Sequence, residues 1–126
     1  MKEKAGHLIA IVDDDESVRE ATTSLLKSNG LRAETFSSAE EFLKSPLVEK
    51  TKCLLLDLGM PGMNGLELQR RLAAEGRRIP IIFITAHDNI ESRREAMRAG
   101  AVDFLPKPFS EEALLNAIRS TLERQT

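Results

Sequence analysis

The chain has a single cysteine, no low-complexity stretch, no internal repeat, no marked excess of either charge, and no window near the ~20 apolar residues of a membrane span. Each absence removes a class of protein. With Cys53 alone no internal disulfide can form, which fits a reducing compartment, and its place at the head of the apolar run Cys53-Leu54-Leu55-Leu56 reads as a small buried hydrophobe. Eighteen Lys and Arg against twenty Asp and Glu leave a net charge of -2, so binding to a phosphate backbone would need a local basic patch. The pairs Arg70-Arg71, Arg77-Arg78 and Arg93-Arg94 lack that density and read as solvated helix ends. Met1-Lys2-Glu3-Lys4 is charged and the apolar stretch after it is soon broken by Asp13, so no signal peptide is expected and the cytoplasm is the default location. What remains is an ordinary globular balance, 41% hydrophobic and 30% charged over 126 residues, which predicts one domain spanning residues 1–126.

Five short apolar runs, at residues 8–12, 31–36, 53–56, 79–84 and 102–105, alternate with longer amphipathic stretches. Three of them are nearly continuous Ile, Leu, Val or Phe, the pattern of parallel strands buried on both faces. The run 31–36 alternates polar with apolar and predicts an edge strand. Between the runs, Val18, Ala21, Leu25 and Leu26 mark a first helix closed by Gly30. Ser38-Ala39-Glu40-Glu41 has the form of a capping box opening a short second helix. Leu66, Leu68 and Leu72 mark a third that ends near Gly76, and Ile90, Ala96, Met97 and Ala99 a fourth ended by Gly100. Ser110 caps a fifth, with Glu111 and Glu112 placed well against its dipole. Alternating βα units with right-handed crossovers give an open parallel sheet with helices on both sides, whose ligand site lies beyond the carboxyl ends of the strands.

At those ends stand Asp13-Asp14-Asp15, Asp57, Thr85 and Lys107. Carboxylates brought into one cleft from two strands repel unless a divalent cation or a proton sits among them. Oxygen ligands without His or Cys suit Mg²⁺, which keeps waters and leaves room for a phosphate oxygen. With a lysine and a hydroxyl opposite, the set is a phosphoryl-transfer constellation in which an aspartate can accept the group. Carboxylates in place of a Gly-rich turn after the first strand, and no Gly-x-x-x-x-Gly-Lys run, argue against a nucleotide-binding module.

The runs Ile11-Val12-Asp13-Asp14, Leu55-Leu56-Asp57-Leu58-Gly59-Met60-Pro61-Gly62-Met63-Asn64-Gly65, Ile84-Thr85-Ala86 and Gly100-Ala101-Val102-Asp103-Phe104-Leu105-Pro106-Lys107-Pro108-Phe109 resemble, in order, the four signature blocks of the receiver domains of two-component response regulators. In detail the chain is most similar to FixJ-like receivers, which usually precede a LuxR-type helix-turn-helix. The resemblance implies a flavodoxin-like (βα)5 doubly wound parallel sheet with strand order 2-1-3-4-5. It implies that Asp57 is the phosphoacceptor. Mg²⁺ or Mn²⁺ would be held by Asp14, Asp57 and the Gly59 carbonyl, with Asp13 acting through water. Lys107 would pair with the phosphoryl oxygens, Thr85 would turn its hydroxyl toward them, and Phe104 would follow inward. The bond Lys107-Pro108 is commonly cis in the family.

The same resemblance implies a sensor histidine kinase as donor, and a chain that assists its own phosphorylation and dephosphorylation rather than a turnover enzyme. The signal would leave through the face of the fourth helix, fifth strand and fifth helix, here Ala96, Ala99, Phe104 and Leu114, in some relatives by homodimerisation. A C-terminal DNA-binding domain is expected in the full-length protein; no DNA-reading element stands in these 126 residues. Two positions that flank the path of a hydrolytic water are unusual. Gly59 has no side chain where the family often has a larger one, and His87 stands two residues after Thr85. These two are expected to tune the lifetime of the phosphorylated form, a solvated loop histidine being the plain alternative for His87. The rival from another class is a haloacid-dehalogenase-like phosphatase, since Asp13-x-Asp15 after an apolar strand imitates its nucleophile motif.

Overall fold

The computed structural model describes residues 7–86 and 89–125. Five strands alternate with five α-helices: β1 (Leu8–Val12), α1 (Glu16–Ser28), β2 (Arg32–Phe36), α2 (Ala39–Lys44), β3 (Thr51–Asp57), α3 (Gly65–Ala74), β4 (Ile81–Thr85), α4 (Ile90–Arg98), β5 (Asp103–Pro106) and α5 (Glu111–Glu123). A short 3₁₀ turn, Pro46–Lys50, absent from the sequence reading, lies between α2 and β3, with Ser45 capping it and Pro46 at its first position. All strand pairs are parallel and the order is β2-β1-β3-β4-β5, as the resemblance implies.

Period two along the strands divides the core into two layers. Ile9, Ile11, Cys53, Leu55 and Ile82 pack with Leu26 of α1 and with Leu114, Ile118 and Leu122 of α5. Ala10, Val12, Leu54, Leu56 and Phe83 pack on the other side with Phe42 of α2, Leu68 and Leu72 of α3, and Ala96 of α4. Every residue of β1 and β4 is buried, which is what the continuous apolar runs foretold. β2 is an edge strand, with Arg32, Glu34 and Thr35 exposed and charge guarding the open side of the sheet. β4 starts at Ile81 rather than at residue 79, because Pro80 has no amide to give a ladder and contributes only its carbonyl, which accepts from the Leu54 amide at 2.9 Å.

Several local expectations need correction. Ser38 does cap α2, its hydroxyl accepting from the Glu41 amide at 3.0 Å, but the Glu41 carboxylate accepts from Ser37 N–H and Oγ–H instead of closing a capping box. The reciprocal box is at α3, between Asn64 and Glu67. On α1 the buried side chains are Thr22 and Leu26, while Ala21 is exposed. On α4 only Ala96 is buried; Ile90 and Met97, seven residues apart on one stripe, face outward at 70% and 41% exposure. Ala96, Phe104 and Leu114, expected on the signalling face, are instead core residues, because each is the apolar underside of its element; of that set only Ala99 is at the surface.

Candidate phosphoryl and metal site

The register brings the rim together. Val12 pairs with Leu56, Asp57 with Ile84 and Thr85 with Pro106, so the residues that follow or end β1, β3, β4 and β5 meet at one edge. Neighbouring strands lie about 4.8 Å apart, which forces their terminal side chains into one cleft. One carboxylate oxygen from each of Asp13, Asp14 and Asp57 lies within 4.8 Å of the others, with Asp13 and Asp57 buried and Asp14 exposed.

Asp13 is wholly buried and held on every side. Its amide donates to the Phe36 carbonyl at 3.1 Å, and Arg19 of α1 donates through Nη1 to its carbonyl at 2.8 Å. Its carboxylate accepts from the Asp15 amide and from Lys107 Nζ, both at 2.9 Å. Lys107 is thus nearer to Asp13 than to Asp57, whose Oδ1 is 3.9 Å away. The Lys107 amide donates to the carbonyl of Thr85, and the Lys107-Pro108 bond is cis. Asp57, 6% exposed at the end of β3, accepts from the Gly59 amide at 3.4 Å. Its carboxyl is pushed up to about 7, first by burial and then by the Asp13 charge, with Lys107 and the Gly59 N–H pulling the other way.

That crowding tests the fit of a cation. Three carboxylates around one point, two of them out of water, with a single ammonium among them, leave negative charge that only a proton or a hard cation can relieve, so the donor set fits Mg²⁺ or Mn²⁺.

The other expected site residues fall as follows. Thr85 ends β4 and is fully buried. Phe104 is 4% exposed, with its ring centroid 6.1 Å from that of Phe83 and the Arg93 guanidinium 4.9 Å above it. Gly59 is exposed in the loop after β3. His87 lies outside the described residues. Asp15 does not join the cluster: its carboxylate accepts from the Ser17 and Val18 amides as the N-cap of α1.

Sequence reasoning missed Arg19, whose reach to the Asp13 carbonyl crosses a turn, and Gly65, where a Cβ would come within 2.6 Å of the Asp57 carbonyl oxygen. A basic residue one turn into the first helix and a glycine opening the third were the available signals. Beside the cleft, Val18 and Leu25 of α1 and Pro108 and Phe109 line an apolar groove of about 520 Å³ that opens onto Lys107.

The model of the response regulator receiver domain matches residues 9–119. The chain belongs to the response regulator receiver family. The receiver is 52% identical over 116 residues to the response regulator protein TmoT of Ectopseudomonas mendocina, covering 92% of this chain and 53% of that protein. It is 40% identical to the transcriptional regulatory protein FixJ of Azorhizobium caulinodans, covering 92% of this chain and 55% of FixJ. Among solved structures it resembles the response regulator StyR, with a TM-score of 0.87 and 51% identity over 94% of this chain and 60% of StyR. The chain therefore spans about half the length of the curated relatives it matches. Family membership, with Asp15 spent on a helix cap, sets aside the phosphatase reading centred on Asp13. Among the described residues no helix is long and apolar enough to cross a membrane.

Proposed function

We propose that this receiver is the phosphoacceptor of a two-component relay, with Asp57 taking the phosphoryl group from a sensor histidine kinase. The observation that carries the reading is the cluster of Asp13, Asp14 and Asp57 with Lys107 bridging the two buried carboxylates. An Asp57 carboxylate oxygen forms the new bond to phosphorus as the donor's P–N bond breaks, and the freed imidazole takes up a proton. Asp14, Asp57 and the Gly59 carbonyl, with Asp13 acting through water, would hold a divalent cation, which would supply charge neutralisation for the transferring oxygens.

The chain's own groups do the rest. Lys107, now paired to Asp13, has the phosphoryl oxygens as a second set of acceptors, and the Thr85 hydroxyl is the donor that completes their coordination. Phe104, already in the core, packs against Phe83 of the neighbouring β4 and would carry the movement of Thr85 toward the outer face. The apolar groove between α1 and Phe109 shares Lys107 with the cleft, which supports it as the surface on which the phosphodonor would rest. We assign no turnover activity beyond assisted phosphorylation and dephosphorylation, with Gly59 and His87 setting the lifetime. Output runs through the surface of α4, β5 and α5, including homodimerisation, to a DNA-binding domain in the full-length protein; that FixJ is named a transcriptional regulatory protein supports an output in transcription.

Intact-mass spectrometry after incubation with acetyl phosphate tests this. A single phosphoryl adduct should form only with Mg²⁺ and be absent from Asp57→Asn; an adduct that persists in Asp57→Asn would overturn the assignment.

A further inference from the structure

The loop at residues 58–64 carries Gly59, and its ends are secured by backbone bonds to β4 and to the start of α3, and by the capping box of α3. Leu58 N–H donates to the Ile84 carbonyl at 3.2 Å, and the Gly65 amide donates back to the Leu58 carbonyl at 2.9 Å. The Asn64 amide donates to the Glu67 carboxylate at 2.8 Å. Met60 is sunk into the core at 6% exposure, and Pro61 has no amide to offer. The middle of the loop is tied differently. Gly62 adopts a left-handed φ of +74°, and the next amide, that of Met63, donates at 3.1 Å to the carboxylate of Glu40, a residue of α2 twenty-three positions away. A Cβ at Gly62 would lie 3.1 Å from the same carboxylate oxygen, so the loop is shaped to let Glu40 approach.

Glu40 stands in the first turn of α2 but is not the residue that caps it. The cap of α2 is supplied by the Ser38 hydroxyl, and the neighbouring Glu41 is occupied with Ser37. Glu40 instead spends its charge on a foreign amide, in a charge-assisted bond stronger than a neutral one.

We propose that Glu40 is a positioning residue for the cation site: by holding the Met63 amide it fixes residues 59–64 and hence the aim of the Gly59 carbonyl. This rests on the reading of Gly59 as a ligand given above. A loop ordered in advance loses less freedom when its carbonyl engages a cation. Removing an outer partner of a metal ligand typically costs 10–100-fold in affinity; Glu40 is exposed and acts through backbone, so the loss should be about ten-fold.

The experiment is calorimetric titration of Mg²⁺ into the whole chain and its Glu40→Ala, Glu40→Gln and Glu41→Ala variants, with hydrogen exchange at the Met63 amide alongside. Glu40→Ala should lose about ten-fold in Mg²⁺ affinity and expose the Met63 amide to faster exchange. Glu40→Gln keeps an acceptor oxygen and should recover most of the affinity. Glu41→Ala disturbs the same helix turn and should leave Mg²⁺ binding unchanged, which separates positioning from helix stability. Unchanged affinity in Glu40→Ala, or an equal loss in Glu40→Gln or Glu41→Ala, overturns the role of Glu40. A wild-type chain that binds no Mg²⁺ overturns the site reading itself, and this inference with it.

Discussion

The carboxyl of Asp57 ties metal binding to pH. In the metal-free fold its pKa stands at about 7 against an ordinary 3.8, because burial and the Asp13 charge both disfavour the carboxylate. The folded chain therefore keeps a proton that the unfolded chain releases. The associated stability is fully present below pH 3.8 and is lost as pH rises through about 7. At the proposed site a divalent cation would compete with that proton for the same oxygens, so its apparent affinity should fall by the factor 1 + 10^(pKa − pH). That factor is about 11 at pH 6, about 2 at pH 7 and about 1.1 at pH 8, a roughly ten-fold gain in affinity over two pH units. The chain has no Trp or Tyr to report binding, so calorimetry is the assay, run in buffers of different ionisation enthalpy to count protons. Each Mg²⁺ bound should release about 0.9 proton at pH 6, about 0.5 at pH 7 and about 0.1 at pH 8. Asp57→Asn should release none over this range. Equal Mg²⁺ affinity at pH 6 and pH 8, or proton release that survives in Asp57→Asn, would refute the argument.

Lys107→Met should move the midpoint of that proton release upward, since Lys107 is the chief charge lowering the Asp57 carboxyl; an unmoved midpoint would show that Lys107 serves Asp13 alone. Gly65→Ala tests close approach against helix propensity: the new Cβ meets the Asp57 carbonyl at 2.6 Å and Phe83 at 3.0 Å, so urea unfolding should show a loss of about 1–3 kcal/mol, and a gain would contradict it. Thr85→Ala should still accept phosphate but switch poorly. Moving a two-state domain from 1:99 to 99:1 needs ~5.5 kcal/mol, and charge-assisted bonds from Thr85 and Lys107 supply about 1.5–3 kcal/mol each, so neither suffices alone. Amide chemical-shift changes on phosphorylation that match wild type in α4 and β5 would remove Thr85 from the switch.

The strand runs and glycine stops were legible because period and punctuation are local properties of the chain, and the helix caps at Ser38 and Ser110 follow from single residues. The cluster of carboxylates was legible for another reason: in a parallel sheet the ends of central strands have nowhere else to go. What could not be read were side chains that act across elements. Arg19 carried no sequence signal beyond its place one turn into the first helix, and Glu40 stood only as part of the Ser38–Glu41 capping run, until folding brought the Asp13 carbonyl and the Met63 amide to them. The three residues misplaced on the signalling face have the same origin, since Ala96, Phe104 and Leu114 are apolar whether they point outward or inward, and only packing decides which.

The bond between Lys107 and Asp13 joins residues 94 positions apart, and the lysine directly follows β5, the last strand of the sheet. At synthesis rates of about 5–20 residues per second, the 50 positions separating Asp57 from Lys107 leave the acidic rim without its ammonium for roughly 3–10 s. During that interval only a proton or a divalent cation can offset the carboxylates that follow β1 and end β3. The Lys107–Asp13 bond is therefore among the last contacts of the cleft to become available, and the ammonium that partly offsets the buried carboxylates arrives only once all five strand segments have been made.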